Sequence, residues 1–132
     1  MNKKYKILLV DDGKFLLDVF TKKYSDEGWK VKALNDARGD FVYTVAQWQP
    51  DIISLDILMP ERDGFQALEL LRADTRTQKI PVVFYTNLGQ KEDIEKAKSL
   101  GADGYIISAS ATPQEVVNKV SEILERHRLS SN

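Results

Sequence analysis

No cysteine occurs anywhere in the chain. That absence excludes a disulfide framework, a thiolate metal site and a thiol nucleophile. Histidine is nearly absent too, with His127 the single example. Neither sign of charge dominates: 19 basic and 20 acidic residues give a net charge of −1. Near balance gives no electrostatic reason to expect nucleic acid or an anionic membrane as partner. No apolar run approaches the ~20 residues needed to cross a bilayer. The start, Met1-Asn2-Lys3-Lys4, leads straight into a short strand-like run. A signal peptide would need a longer hydrophobic stretch there. A soluble cytoplasmic domain is expected.

What is present suits one fold. The chain has 132 residues, 42% hydrophobic and 30% charged, enough for one sizeable core. A single domain over residues 1–132 is expected, with a frayed tail at about 129–132 and no room for an attached output domain. No internal repeat or linker interrupts it.

Short apolar runs alternate with helix-length segments. Tyr5 to Val10 is the first strand. Phe15 to Tyr24 has apolar residues at helical spacing, and Gly28 stops that helix. Trp29 to Leu34 alternates apolar and polar, which suits an edge strand. Asn35 and Asp36 can cap a helix over Ala37 to Trp48, although Gly39 weakens it. Asp51 to Asp56 is the third strand. Met59-Pro60 and Asp63-Gly64 make a loop, and a helix follows over Phe65 to Ala73. Ile80 to Tyr85 is almost wholly apolar, as a central parallel strand covered on both faces must be. Gln90 to Leu100 reads as a charged, partly exposed helix ended by Gly101. Tyr105 to Ile107 is a brief fifth strand. Thr112-Pro113-Gln114-Glu115 starts the last helix, with Thr as cap, Pro at the first position and Glu three after the cap. That helix is expected to run to about Arg128. Five strands alternating with five helices mean parallel βαβ units, an α/β doubly wound sheet.

In such a sheet ligands bind beyond the carboxyl ends of the strands, at the switch point of the topology. Asp11 and Asp12 follow the first strand and Asp56 ends the third. If those strands are neighbours, three carboxylates converge. Like charges so close must hold protons or bind a cation. Oxygen-only ligands favour a hard divalent ion, Mg²⁺ first. A carboxylate beside such an ion can attack phosphorus and form an acyl phosphate. Aspartates at strand ends also serve as caps and turn formers. Asp56 together with Thr86, at the end of the fourth strand, weighs against that simpler role.

With these residues in place, the sequence resembles a response-regulator receiver domain over nearly its whole length. The resemblance rests on Lys6 to Asp12 (KILLVDD), Asp51 to Arg72 (DIISLDILMPERDGFQALELLR), Ile80 to Asn87 (IPVVFYTN) and Gly101 to Ile107 (GADGYII). It implies a flavodoxin-like (βα)5 fold with strand order 2-1-3-4-5. It implies that Asp56 accepts a phosphoryl group from a phosphohistidine of a sensor histidine kinase or phosphotransfer protein. Asp12, Asp56 and the backbone carbonyl of Leu58 would bind Mg²⁺ directly, with Asp11 helping through water. Thr86 would bond the phosphoryl oxygen, and Tyr105 would turn inward as Thr86 moves. Output would pass through the fourth helix, fifth strand and fifth helix to a separate protein target. The protein would be a monomer or weak homodimer and a signalling switch, not an enzyme.

The sequence departs from the family at one position above all. The family's lysine, three residues after the switch aromatic, is replaced here by Ser108. Three carboxylates and one Mg²⁺ sum to about −1, and a phosphoryl group adds further negative charge. Ser108 offers a hydrogen bond but no charge to offset it, so weaker switching or slower phosphorylation is expected. Ser108→Lys should then raise the rate, lifetime or conformational response. Asn87 stands where the family prefers a small residue and is expected to crowd the phosphoryl site. Leu58 and Leu88 take the rim positions that govern water access in the family. Lys14 could lend some of the missing charge; the competing reading is a solvated lysine of the first turn.

Two other functions remain to be weighed. A receiver-like binding module working without phosphate would suit Ser108 and Asn87. A stand-alone Mg²⁺-dependent phosphohydrolase could use Asp56 as nucleophile. Enzymes of the haloacid-dehalogenase type want a second Asp two residues on, where this chain has Leu58. His127 reads as a solvated or capping residue of the last helical turn, and Trp29 and Trp48 as packing residues.

Overall fold

The computed structural model describes residues 5–130. Its elements are β1 (Lys6–Val10), α1 (Lys14–Asp26), β2 (Lys30–Leu34), α2 (Phe41–Trp48), β3 (Ile52–Leu55), α3 (Gly64–Ala73), β4 (Val82–Thr86), α4 (Lys91–Ser99), β5 (Gly104–Ile107), a short 3₁₀ turn (Ser108–Ser110) and α5 (Pro113–Ser130). All strand pairs are parallel, in the order β2-β1-β3-β4-β5. This is the expected flavodoxin-like sheet.

Alternation along the strands divides the core in two. Leu8, Val10, Ile53, Leu55, Val82 and Phe84 point to one face, where α2, α3 and α4 cover them with residues such as Phe41, Leu68 and Ala97. Ile7, Leu9, Ile52, Val83, Tyr85 and Ile106 point to the other, under α1 and α5 with Phe20, Tyr24, Val117 and Leu124. β3 and β4 are buried along their whole length, as strands sandwiched between helical layers must be. β2 is the half-exposed edge that its alternating pattern predicts.

Several element bounds differ from expectation, each for a local reason. α2 begins at Phe41, not Ala37. The Asp36 side chain accepts from the Arg38 backbone N–H at 3.0 Å, which makes a turn of its own. Gly39 then takes φ +57°, a left-handed conformation that a helix cannot include. α5 continues to Ser130, so residues 129 and 130 are helical rather than frayed. Ser131 and Asn132, the rest of the expected tail, lie outside the described residues, as do Met1 to Lys4.

The α5 start is as predicted: Thr112 Oγ1 accepts from the Glu115 N–H, and Glu115 Oε1 accepts from the Thr112 N–H at 2.9 Å. A second reciprocal cap opens α3. Asp63 accepts from the Gln66 N–H and Gln66 accepts from the Asp63 N–H, both at 2.9 Å. Among the described residues no helix is long and apolar enough to cross a membrane.

Candidate functional site

The register of the sheet builds the site. Val10 stands beside Leu55, and Leu55 beside Phe84. The residues that follow those strand ends therefore meet at one rim. The strand order reverses direction between β1 and β3, so this rim is the switch-point crevice. Asp11, Asp12 and Asp56 converge there, with one carboxylate oxygen from each within 4.8 Å of the others.

The backbone pins two of the three. The Asp11 side chain accepts from the Gly13 N–H at 2.8 Å. Asp56 Oδ1 accepts from the Ile57 N–H at 2.8 Å, and the Leu58 N–H nearby also favours the charged carboxylate. The buried Thr86 hydroxyl lies beside Asp56 and favours its charged form. Gly64, at the start of α3, packs directly on this segment. A Cβ there would lie 2.3 Å from the Asp56 carbonyl oxygen, so no larger residue fits.

Electrostatic strain is visible in the acids. Burial pushes the Asp11 carboxyl up to about 6, helped by Asp56 and Asp12 and opposed by the Gly13 N–H. Burial also raises Asp56, against the lowering effect of Thr86 and the two backbone donors. Among the described residues no lysine or arginine forms an ion pair with any of the three. The Lys14 ammonium pairs with Asp18 at 2.8 Å and is largely exposed on α1.

The other expected residues fall around the rim. Leu58 is exposed and Leu88 half-buried. Tyr105 is half-buried on β5, its hydroxyl donating to the Leu88 carbonyl at 2.6 Å, its ring 6.1 Å from that of Phe84. Ser108 and Asn87 meet: the Ser108 hydroxyl donates to the Asn87 side-chain oxygen. Asn87 is thus turned toward β5 by a partner that the sequence did not suggest. His127 is half-exposed near the end of α5, as expected, and Trp29 packs between Tyr5 and Tyr24.

Two contributors were missed. Gly64 was read only as part of a loop, and no spacing rule reveals a close packing contact. The Asp63–Gln66 cap could have been found, because an acid three residues before a glutamine is capping-box spacing.

The comparisons agree with this geometry. The chain is 34% identical over 122 residues to the DNA-binding dual master transcriptional regulator RpaA of Synechocystis, covering 92% of this chain and 49% of that protein. It thus spans about half the length of that relative. It is 30% identical over 120 residues to the chemotaxis protein CheY of Halobacterium salinarum, covering 90% of this chain and 96% of that one. A solved CheY-like receiver domain protein from Methanospirillum hungatei superposes with a TM-score of 0.86 at 23% identity, over 97% of this chain and 99% of the other. The model of the response regulator receiver domain matches residues 7–121. Phosphorylation and Mg²⁺ binding are features of that family. With the strand order, the acid cluster and the matched length in agreement, this chain belongs to the response regulator receiver domain family.

Proposed function

We propose that the chain is a phosphorylation-controlled switch that accepts a phosphoryl group on Asp56 from the phosphohistidine of a sensor kinase or phosphotransfer protein. The observation that carries this reading is the Asp11, Asp12 and Asp56 cluster with the Thr86 hydroxyl on Asp56. The donor set fits Mg²⁺: three carboxylates, all hard oxygen ligands, crowded enough to favour a cation. Asp12, Asp56 and the Leu58 carbonyl would hold the ion, with Asp11 beside them. When bound, it would neutralise charge on the incoming phosphoryl group.

The chain's own groups account for the rest. Asp56 has one oxygen fixed by the Ile57 N–H, which orients the carboxylate for attack. That carboxylate forms the bond to phosphorus as the donor's P–N bond breaks. The imidazole leaves with its electron pair and takes a proton from solvent. Thr86, whose hydroxyl lies beside Asp56, would donate to a phosphoryl oxygen after transfer. Tyr105 and its bond to Leu88 would couple that change to the groove of about 520 Å³ between α4, β5 and α5, which we propose as the face for a protein target. Nothing in this scheme requires turnover, so the protein is proposed to be a switch and not an enzyme.

Incubation with acetyl phosphate and Mg²⁺, read by intact mass, tests the reading. The wild-type chain should gain one phosphoryl group, while Asp56→Asn or added EDTA should abolish the gain. No gain in the wild type would refute the proposal and favour a phosphate-independent binding module. Sustained hydrolysis of a generic phosphate ester would instead indicate a phosphohydrolase.

A further inference from the structure

We propose that Asn87 contacts the phosphoryl group through its side-chain amide, and that Ser108 is the positioning residue that aims it. This rests on Asp56 being the acceptor, as proposed above. The order of the strands sets the geometry. β4 lies between β3 and β5, with Leu55 beside Phe84 and Thr86 beside Ile107. Asn87 follows β4, so Asp56 lies on its β3 side and Ser108 on its β5 side.

A carboxamide has one accepting oxygen and one donating nitrogen. The Ser108 hydroxyl donates to the Asn87 oxygen, which turns that oxygen toward β5. The nitrogen, the other branch of the same amide, is then the atom that Ser108 leaves unheld. Among the described residues it meets no acceptor within hydrogen-bond distance. Asn87 is exposed, so its side chain has room to reach an incoming group. The residue just before it, Thr86, already touches the Asp56 carboxylate.

The loop that carries Asn87 is fixed independently of this pair. The Tyr105 hydroxyl holds the Leu88 carbonyl at 2.6 Å. A Cβ on Gly89 would come within 3.2 Å of Ile107 Cδ1, so the loop lies close against β5. An amide aimed from a fixed loop is a neutral donor where, among the described residues, no lysine or arginine pairs with the acids. Asn87 then assists the phosphoryl site that it was expected to crowd.

The test is phosphorylation of the full chain by acetyl phosphate with Mg²⁺, followed by intact mass, for wild type, Asn87→Ala, Ser108→Ala, Ser108→Thr and the Asn87→Ala/Ser108→Ala double variant. One neutral hydrogen bond corresponds to about a fivefold loss of rate for Asn87→Ala. Ser108→Ala should lose about twofold and Ser108→Thr should recover it, since threonine keeps the hydroxyl. The double variant should be no slower than Asn87→Ala alone, because Ser108 acts only through Asn87. Asn87→Asp should be slower than Asn87→Ala, since it removes the donor and adds a negative charge. A nuclear magnetic resonance signal from the Asn87 side-chain amide should shift on phosphorylation of the wild type. A purely structural role would leave that signal in place.

Equal rates for wild type and Asn87→Ala, additive losses in the double variant, or an unmoved amide signal would each overturn the inference. If the wild type takes no phosphate, the reading of Asp56 fails and this inference fails with it. If the wild type is phosphorylated and Asn87→Ala is unchanged, only the inference fails.

Discussion

The two ends of the β-sheet treat the same residue type in opposite ways. At the amino ends of the strands each aspartate has a partner. Asp51 accepts from the Lys6 N–H at 2.8 Å. Asp103 accepts from the Val82 N–H at 2.8 Å and from Arg72 at 3.0 Å. Arg72 also donates to the carbonyls of Ile80, Gln78 and Gly101, which ties α3 to β4 and to the turn before β5. At the carboxyl ends, Asp11, Asp12 and Asp56 face one another without a basic partner. The contrast separates structure from function. Paired acids close a strand start, whereas crowded acids hold unfavourable energy that a cation and a phosphoryl group can use.

The largest test of the comparison is at the paired end. Arg72→Ala should cost about 2 kcal/mol, because it leaves Asp103 and three carbonyls short of a donor at a partly exposed site. Urea denaturation measures it. A loss below about 1 kcal/mol would mean that the amino end is no better satisfied than the other.

At the crowded end the sign reverses. The Asp11 carboxyl has its folded pKa raised to about 6 from 3.8. A raised carboxyl pKa means that the folded chain holds the proton more tightly than the unfolded one. Stability is then greatest below about pH 4, falls as pH rises toward 6, and stays low above that. Solvent screening at this half-buried site reduces the difference to about 1.5 kcal/mol. Asp11→Asn in EDTA should therefore stabilise the chain by about that amount at pH 7.5 and flatten the pH dependence. Asparagine keeps an oxygen for the Gly13 N–H, so the turn survives. Unchanged or lower stability would show that the three acids are not in conflict.

Mg²⁺ should relieve the same conflict. At a free concentration about five times its Kd, a bound ion adds about 1 kcal/mol to the stability of the wild type. Thermal melts with Mg²⁺ and with EDTA read this directly. Asp12→Asn should diminish the gain, and Arg72→Ala should leave it intact. Loss of the gain in Arg72→Ala would mean that the two ends are coupled.

The comparison also explains what the sequence could and could not reveal. The strands were legible because β3 and β4 are continuous apolar runs and β2 alternates. The acid cluster was legible because Asp11, Asp12 and Asp56 all lie at strand ends, and parallel order brings such ends together. The Arg72 network was not legible. Its partners are backbone carbonyls from distant loops, and a carbonyl has no signature in sequence. The start of α2 was misplaced for a different reason: Asp36 caps its own turn, which imitates the first signal of a helix. Lys14 allows two readings from sequence, and its pairing with Asp18 four residues on is the ordinary helix-surface spacing. The Ser108–Asn87 bond joins residues that follow separate strands, so in sequence each stands alone as a departure from the family.

Tyr24 provides the smallest and sharpest test. Its side chain is 1% exposed, and its hydroxyl has no protein partner among the described residues. It lines a cavity of about 20 Å³ together with Asp11, Ser54 and Tyr85. It therefore lacks a hydrogen-bond partner where the acids lack a countercharge, and it lies below the site instead of on its rim. If unanswered groups cost stability wherever they occur, Tyr24→Phe should stabilise the chain by about 0.5 kcal/mol, since the ring's packing is kept and only a desolvated hydroxyl is lost. Phosphorylation of Asp56 should not change, because the hydroxyl contacts neither the carboxylate nor the rim. A loss of more than about 1 kcal/mol would mean instead that a water in the cavity partners this hydroxyl. Tyr24 would then belong with the satisfied amino end, and the crowded acids alone would remain short of a partner, in their case a countercharge.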